Sequence, residues 1–190
     1  MRLRKLALPA LGVAVAFSCL GCMVRSVSPW LKKDALVFED DLLGGWVGTG
    51  ERGVVAMTFV RGKDNSYVVQ YADKESHGSF NGHLAKFGAD YYLDFQPAED
   101  SPGVDGLLRF PTHSVARLEI GADTLTVRPL NYGAVKAAAK LDRLRDLKYA
   151  WGDEGELIIV SNTDDLQRWL LSLGRDSELY AQPIRLTRKK

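Results

Sequence analysis

The only two cysteines of this 190-residue chain stand three positions apart, in Cys19-Leu20-Gly21-Cys22. Thiols at that spacing can cycle between dithiol and disulfide, or supply half of a zinc site, but either use needs a folded scaffold that holds both sulfurs. Here the pair closes an apolar run, Leu6 to Leu20, behind the positively charged Met1 to Lys5, with no strand–helix unit beside it. A charged start, an apolar stretch of this length and small residues at its end have the layout of an export signal, which is removed from the mature chain. The run is shorter than the ~20 residues of a spanning helix, and Pro9 and Gly12 weaken it as a permanent one, which leaves an uncleaved membrane anchor as the alternative.

Elsewhere the residues that could do chemistry are scattered. His77 and His83 share a strand face but lie about 20 Å apart in extended chain, too far to ligate one metal. His77 and Ser79 share a face in "HGSFNG", yet nothing in the sequence orients them into a triad. The acidic groups Glu99, Asp100 and Asp105, and Asp153, Glu154 and Glu156, lack the alternating spacing of a calcium loop and read as solvated turns. Zinc-protease, phosphate-loop and nucleophile-elbow patterns do not occur in the sequence. The expectation is a protein that is not an enzyme, with no cofactor and no metal. A hydrolase is the least supported reading.

Leu20-Gly21-Cys22 resembles the lipobox of bacterial lipoproteins, in which a small residue precedes a cysteine that is acylated before the signal is cut away. The resemblance implies a signal peptide over residues 1–21 and lipidation at Cys22. Cys19 stands where that motif most often has leucine. Acylation at Cys19 itself would put bulky Phe17 before the cut, and an ordinary cut after Ala14-Val15-Ala16 is the other option. The absence of aspartate after Cys22 implies the outer membrane, with the domain facing the periplasm. Loss of the leader removes three basic residues and leaves 22 against 24 acidic. A domain so close to neutral gives no electrostatic reason to expect nucleic acid.

Around these residues the sequence organises into one domain. Residues 22–41 read as a lipidated tether with a short helix, and residues 42–190 as the folded unit. Strands are expected at "WVGTGE" from Trp46, "VVAMTFVR" from Val54, "SYVVQYA" from Ser66, "HGSFNGHLAKF" from His77, "YYLDFQ" from Tyr91, "SVARLEI" from Ser114 and "TLTVRPL" from Thr124. Turn residues bound each of them, and period-two alternation gives one aromatic, apolar face and one wet face carrying Tyr92, Asp94, Arg117 and Glu119. Helices are expected near 134–148 and 163–173, the second after a capping sequence at Ser161 to Asp164, with short strands at "ELIIV" and "PIRLT". The fold class is mainly β: an antiparallel up-and-down barrel or strongly curved meander, with two late helices packed on it.

Gly44-Gly45-Trp46 has the G-x-W spacing found on the first strand of lipocalins, and the order of elements over roughly Asp41 to Leu130 also resembles that family. The resemblance implies that Trp46 plugs one end of the barrel and that the other holds a small hydrophobic or amphipathic ligand. Candidate lining residues are Trp46, Phe59, Tyr67, Tyr71, Phe80, Tyr91 and Phe95; the alternative is that the same side chains simply fill the interior. The leading expectation is therefore a lipid-anchored cell-envelope lipoprotein with a binding or accessory role. The alternative is an interaction module of an envelope complex that presents Trp169 and the late helices to a partner protein.

Overall fold

Strands whose apolar residues alternate with polar ones, joined by tight turns, curl about their greasy side. The computed structural model, which describes residues 23–50, 53–98 and 112–189, does so completely. An arm carrying β1 (Arg25–Ser26) and β2 (Leu36–Val37) leads into β3 (Gly44–Gly50), β4 (Gly53–Arg61), β5 (Tyr67–Ala72), β6 (His77–Phe87), β7 (Asp90–Pro97), β8 (Ser114–Ile120) and β9 (Thr124–Pro129). The chain then leaves the sheet for α1 (Tyr132–Lys140), β10 (Tyr149–Trp151), β11 (Leu157–Ile159) and α2 (Thr163–Ser172), and returns as β12 (Ile184–Arg188). Because β12 pairs antiparallel with both β9 and β3 while β6 pairs with β7, strands β3 to β9 and β12 form a closed, eight-stranded, lipocalin-like barrel. Closure excludes the open meander.

Local chemistry explains the register. At the β4–β5 hairpin, Asp64 and Asn65 sit at φ 52° and 57°, and Ser66 N–H donates to the Lys63 carbonyl at 2.9 Å. That is the mirror-image turn whose twist suits antiparallel strands, and aspartate and asparagine tolerate it best after glycine. Between β3 and β12 the backbones approach so closely at Gly48 that any Cβ there would overlap the Arg185 backbone oxygen.

Hydrophobic side chains gather in two separate cores. One fills the barrel, with Trp46, Phe59, Tyr67, Val69, Leu84, Leu93, Leu118, Leu125 and Leu186 among its buried members. The other lies outside the barrel, between the outer wall of β6, β7 and β8 and a layer made of the arm, both helices and the three-stranded sheet β1–β11–β10. This second core overturns three expectations. Residues 23–41 are not a free tether: Val24, Trp30 and Leu31 are core residues, while the short helical element expected there is present as the 3-10 helices Lys33–Ala35 and Asp40–Leu42. The outer face of the sheet is not uniformly wet, because Tyr92, Asp94 and Arg117 are buried beneath the added layer. Trp169 is not offered to a partner; it is 6% exposed and packs against Trp30, the ring centroids 6.1 Å apart.

The first helix is also shorter than its leucines suggest. Arg143 N–H donates to the Ala138 carbonyl and Asp142 N–H to that of Ala139, with Asp142 at φ 54°. This double bond pattern with a left-handed residue terminates a helix, and it leaves Leu141 exposed while Leu144 and Leu147 drop into the outer core. The second helix runs as expected, but its cap stands one residue beyond the Ser161–Asp164 pattern, because Ser161 is buried and its hydroxyl accepts from Lys148 N–H at 2.6 Å. The Asn162 side chain accepts from Asp165 N–H at 2.9 Å and donates back to its carboxylate, a reciprocal cap that satisfies an orphan donor.

Candidate functional site at the barrel mouth

The barrel has two unlike ends. At the first, Trp46 is 1% exposed and its Nε1–H donates to the Leu42 carbonyl at 2.9 Å, so the 3-10 turn Asp40–Leu42 lies across the opening as a plug. Tyr67 ties the same segment down: its hydroxyl accepts from Glu39 N–H at 2.7 Å and donates to the Glu39 carbonyl at 3.1 Å. Burial pushes the Tyr67 phenol pKa up, so it stays a neutral donor. Phe38 stacks on Tyr67 at 4.6 Å, Phe59 meets it edge-on, and the Tyr91 hydroxyl donates to Glu39 Oε1 at 2.8 Å. Four of the seven aromatic side chains read as candidate ligand walls, Trp46, Phe59, Tyr67 and Tyr91, therefore fill and fasten the closed end.

Arg188 completes that end and carries no signal in the sequence that marks it for this role. Its guanidinium carbon lies 4.3 Å from the centre of the Trp46 ring, and its N–H groups donate to the carbonyls of Asp41, Leu43 and Ala122. A planar fork of five donors suits such a task, and the ring face attracts the charge.

The other three aromatic candidates, Tyr71, Phe80 and Phe95, stand at the opposite end. Phe80 and Phe95 meet edge to face with ring centroids 5.6 Å apart. Together with Pro97, Thr112, Ser114 and two arm residues, Met23 and Arg25, they enclose a cleft of ≈ 30 Å³. That volume takes a water or two. A larger guest must displace the edge-to-face pair.

Tyr71 is held upright at this mouth by the β5–β6 turn. Its hydroxyl donates to Asp73 Oδ2 at 2.7 Å, while Asp73 Oδ1 accepts from the backbone N–H groups of Glu75 and Ser76 and from the Ser76 hydroxyl. The Tyr71 hydrogen bond above all, then the donors of the turn, hold the Asp73 carboxyl down at about 2 from an ordinary 3.8. A depressed folded pKa contributes stability that is complete above the unfolded value and is lost as pH falls through the folded one. A carbon-detected carboxyl titration should give an Asp73 midpoint near 2, and Tyr71→Phe should move it back up toward 3.8. An unchanged midpoint would show that the turn alone holds it.

On the outer wall a buried polar cluster fixes the arm. Asp94, 4% exposed, accepts from Trp30 N–H at 2.6 Å through Oδ2 and pairs with His113 Nδ1 at 2.8 Å through Oδ1. A carboxylate that orients an imidazole supplies two members of a nucleophilic triad, but the nearby Ser26 hydroxyl donates to the Ser28 carbonyl at 2.7 Å. The arrangement staples the arm to the barrel. One strand over, Arg117 is 2% exposed and reaches Asp90 at 2.8 Å and Glu119 at 2.9 Å, two carboxylates that offset its desolvation. Of the histidines, His77 is exposed and His83 half-buried, and among the described residues no group of three His, Cys, Asp or Glu side chains could hold a metal ion.

Cys19, Cys22 and the acidic run Glu99, Asp100 and Asp105 lie outside the described residues, as does the whole leader. Among the described residues no helix is long and apolar enough to cross a membrane. A scan against protein-family models and searches of curated proteins and of solved structures gave no match for this chain.

Proposed function

We propose that the protein is a non-catalytic, lipid-anchored lipoprotein of the cell envelope, acylated at Cys22 and held at the outer membrane on its periplasmic side. Its barrel serves as a shallow receptor for one end of a small hydrophobic or amphipathic molecule. The observation that carries this reading is the asymmetry of the barrel: one end is plugged and bonded shut, while the other presents Phe80 and Phe95 around a cleft whose rim includes Met23, the residue after Cys22. Apolar pockets with a few fixed polar groups are the usual form of such sites. A plugged lower half leaves no deep cup, so the guest enters by one end only.

Mass spectrometry of the chain purified from membranes, before and after organic extraction, tests the proposal. The expected results are an amino-terminal fragment that begins with an acylated Cys22 and a co-extracted lipid that Phe80→Ala and Phe95→Ala each deplete. An intact Met1 with free thiols would overturn the anchor, and an extract equally rich from both variants would overturn the receptor.

A further inference from the structure

The barrel mouth adjoins, through Arg25 on its rim, one face of the three-stranded sheet on the outside of the molecule. Ser26 pairs antiparallel with His113, the residue before β8, and both point toward the outer core; their neighbours Arg25, Thr112 and Ser114 therefore point the other way, toward the mouth. Arg25 pairs with Ile158 in the parallel β1–β11 ladder, and Ile158 with Ala150 of β10. Continuing that alternation puts Val27 and Val160 on the same face. They are 37% and 43% exposed, while their ladder neighbours Ser26 and Ile159 on the reverse side are wholly buried. Arg25 and Lys148 place positive charge beside this strip of Val27, Ile158, Val160 and Ala150, and Glu156, on the same side of β11, places one negative charge at its far end.

We infer that this sheet face rests on the lipid surface to which the chain is anchored, so that the barrel mouth opens beside the bilayer rather than toward bulk water. The inference rests on the acylation of Cys22 proposed above. Its physical ground is the lack of slack: Val24 is 3% exposed in the outer core, and three residues from Cys22 to Arg25 span at most about 11 Å. Whatever holds Cys22 in the membrane holds β1 at its surface, with exposed valines and flanking cations directed at acyl chains and anionic headgroups. A guest of limited solubility would then pass from bilayer to Phe80 and Phe95 without crossing water.

The test uses the absence of cysteine from residues 23–190. Val27→Cys, Val160→Cys and, on the plugged end, Lys63→Cys are each introduced into the full chain, labelled with a nitroxide and reconstituted in vesicles of phosphatidylethanolamine and phosphatidylglycerol. All three positions are exposed, so the fold is not at stake. The expected result is a several-fold lower collision rate with a water-soluble nickel chelate at 27 and 160 than at 63, with a matching rise for oxygen. Equal rates at all three positions in vesicle-bound chain with an acylated Cys22 would overturn the docking and leave the anchor standing. Chain that carries an intact Met1 and stays off the vesicles would overturn both. Labels at 27 and 160 that are already shielded before vesicles are added would show that another part of the chain covers the face, which also overturns it.

Discussion

Replacing Trp30 by alanine is expected to lower the stability of the domain by about 3–5 kcal/mol, the cost of removing a large aromatic side chain from a packed core. Trp30 is 0% exposed, packs against Trp169, and stands in a segment that ties the arm to both the helices and the barrel wall. At roughly 2–4 °C per kcal/mol for a domain of this size, the melting temperature should fall by about 6 °C or more. The backbone N–H of Trp30 still reaches Asp94 in the variant, so the loss reports packing and not the staple. Limited trypsin digestion gives an independent reading. In the variant, cleavage at Lys32 and Lys33 should precede any cut in β4 to β9, because the arm loosens before the barrel, whose ladder hydrogen bonds do not pass through Trp30. A melting temperature within 1–2 °C of the parent would mean that the outer core closes over the gap.

The barrel was legible in the sequence because its code is local. Each long strand alternates at period two and is bounded by residues that make its turn, so β6 and β8 were delimited to the residue and the order of hairpins followed. The outer core was not legible, and the reason is distance along the chain. Asp94 joins Trp30 across 64 residues and His113 across 19, and nothing in a charged residue on a polar strand face says that a second layer will cover it. Trp30, Leu31 and Val24 follow no period that would mark a buried arm. The leucines at 141, 144 and 147 mimic a helical stripe, yet the backbone turns left-handed at Asp142 and the stripe is broken.

The candidate site divides in the same way. Alternation tells which face of a strand is inward but not how far along the barrel axis a residue stands. Trp46 was set at the plugged end by the G-x-W resemblance, but the other six aromatic candidates were one stripe in the sequence, and the closed ring separates Phe59, Tyr67 and Tyr91 at the plug from Tyr71, Phe80 and Phe95 at the mouth. The hydrogen-bond partners make the same distinction. Tyr67 and Tyr91 serve Glu39 at the plug, whereas Tyr71 serves the β5–β6 turn at the rim. The mouth thus owes its shape to a short acidic turn and a pair of phenylalanines, and the plug to a network that crosses from the first strand to the last.

That network gives the second large effect. Arg188→Ala should cost about 2 kcal/mol or more, since it removes charge-assisted hydrogen bonds to three carbonyls together with the attraction to the Trp46 ring. The carbonyls belong to Asp41 in the plug, to Leu43 just after it and to Ala122 in the β8–β9 turn, so one side chain links the plug, the end of β12 and the neighbouring hairpin. Urea titration should move the midpoint down with little change in slope, and the emission of Trp46 should shift to the red as the plug admits water. Arg188→Lys should recover less than half of the loss, because an ammonium is a point donor and cannot serve carbonyls on three segments at once. Lipid capture at the mouth should survive in the folded fraction of both variants, because Phe80 and Phe95 lie at the other end of the barrel and share no contact with Arg188. A variant that kept the parent midpoint but lost the lipid would reverse the assignment of the two ends.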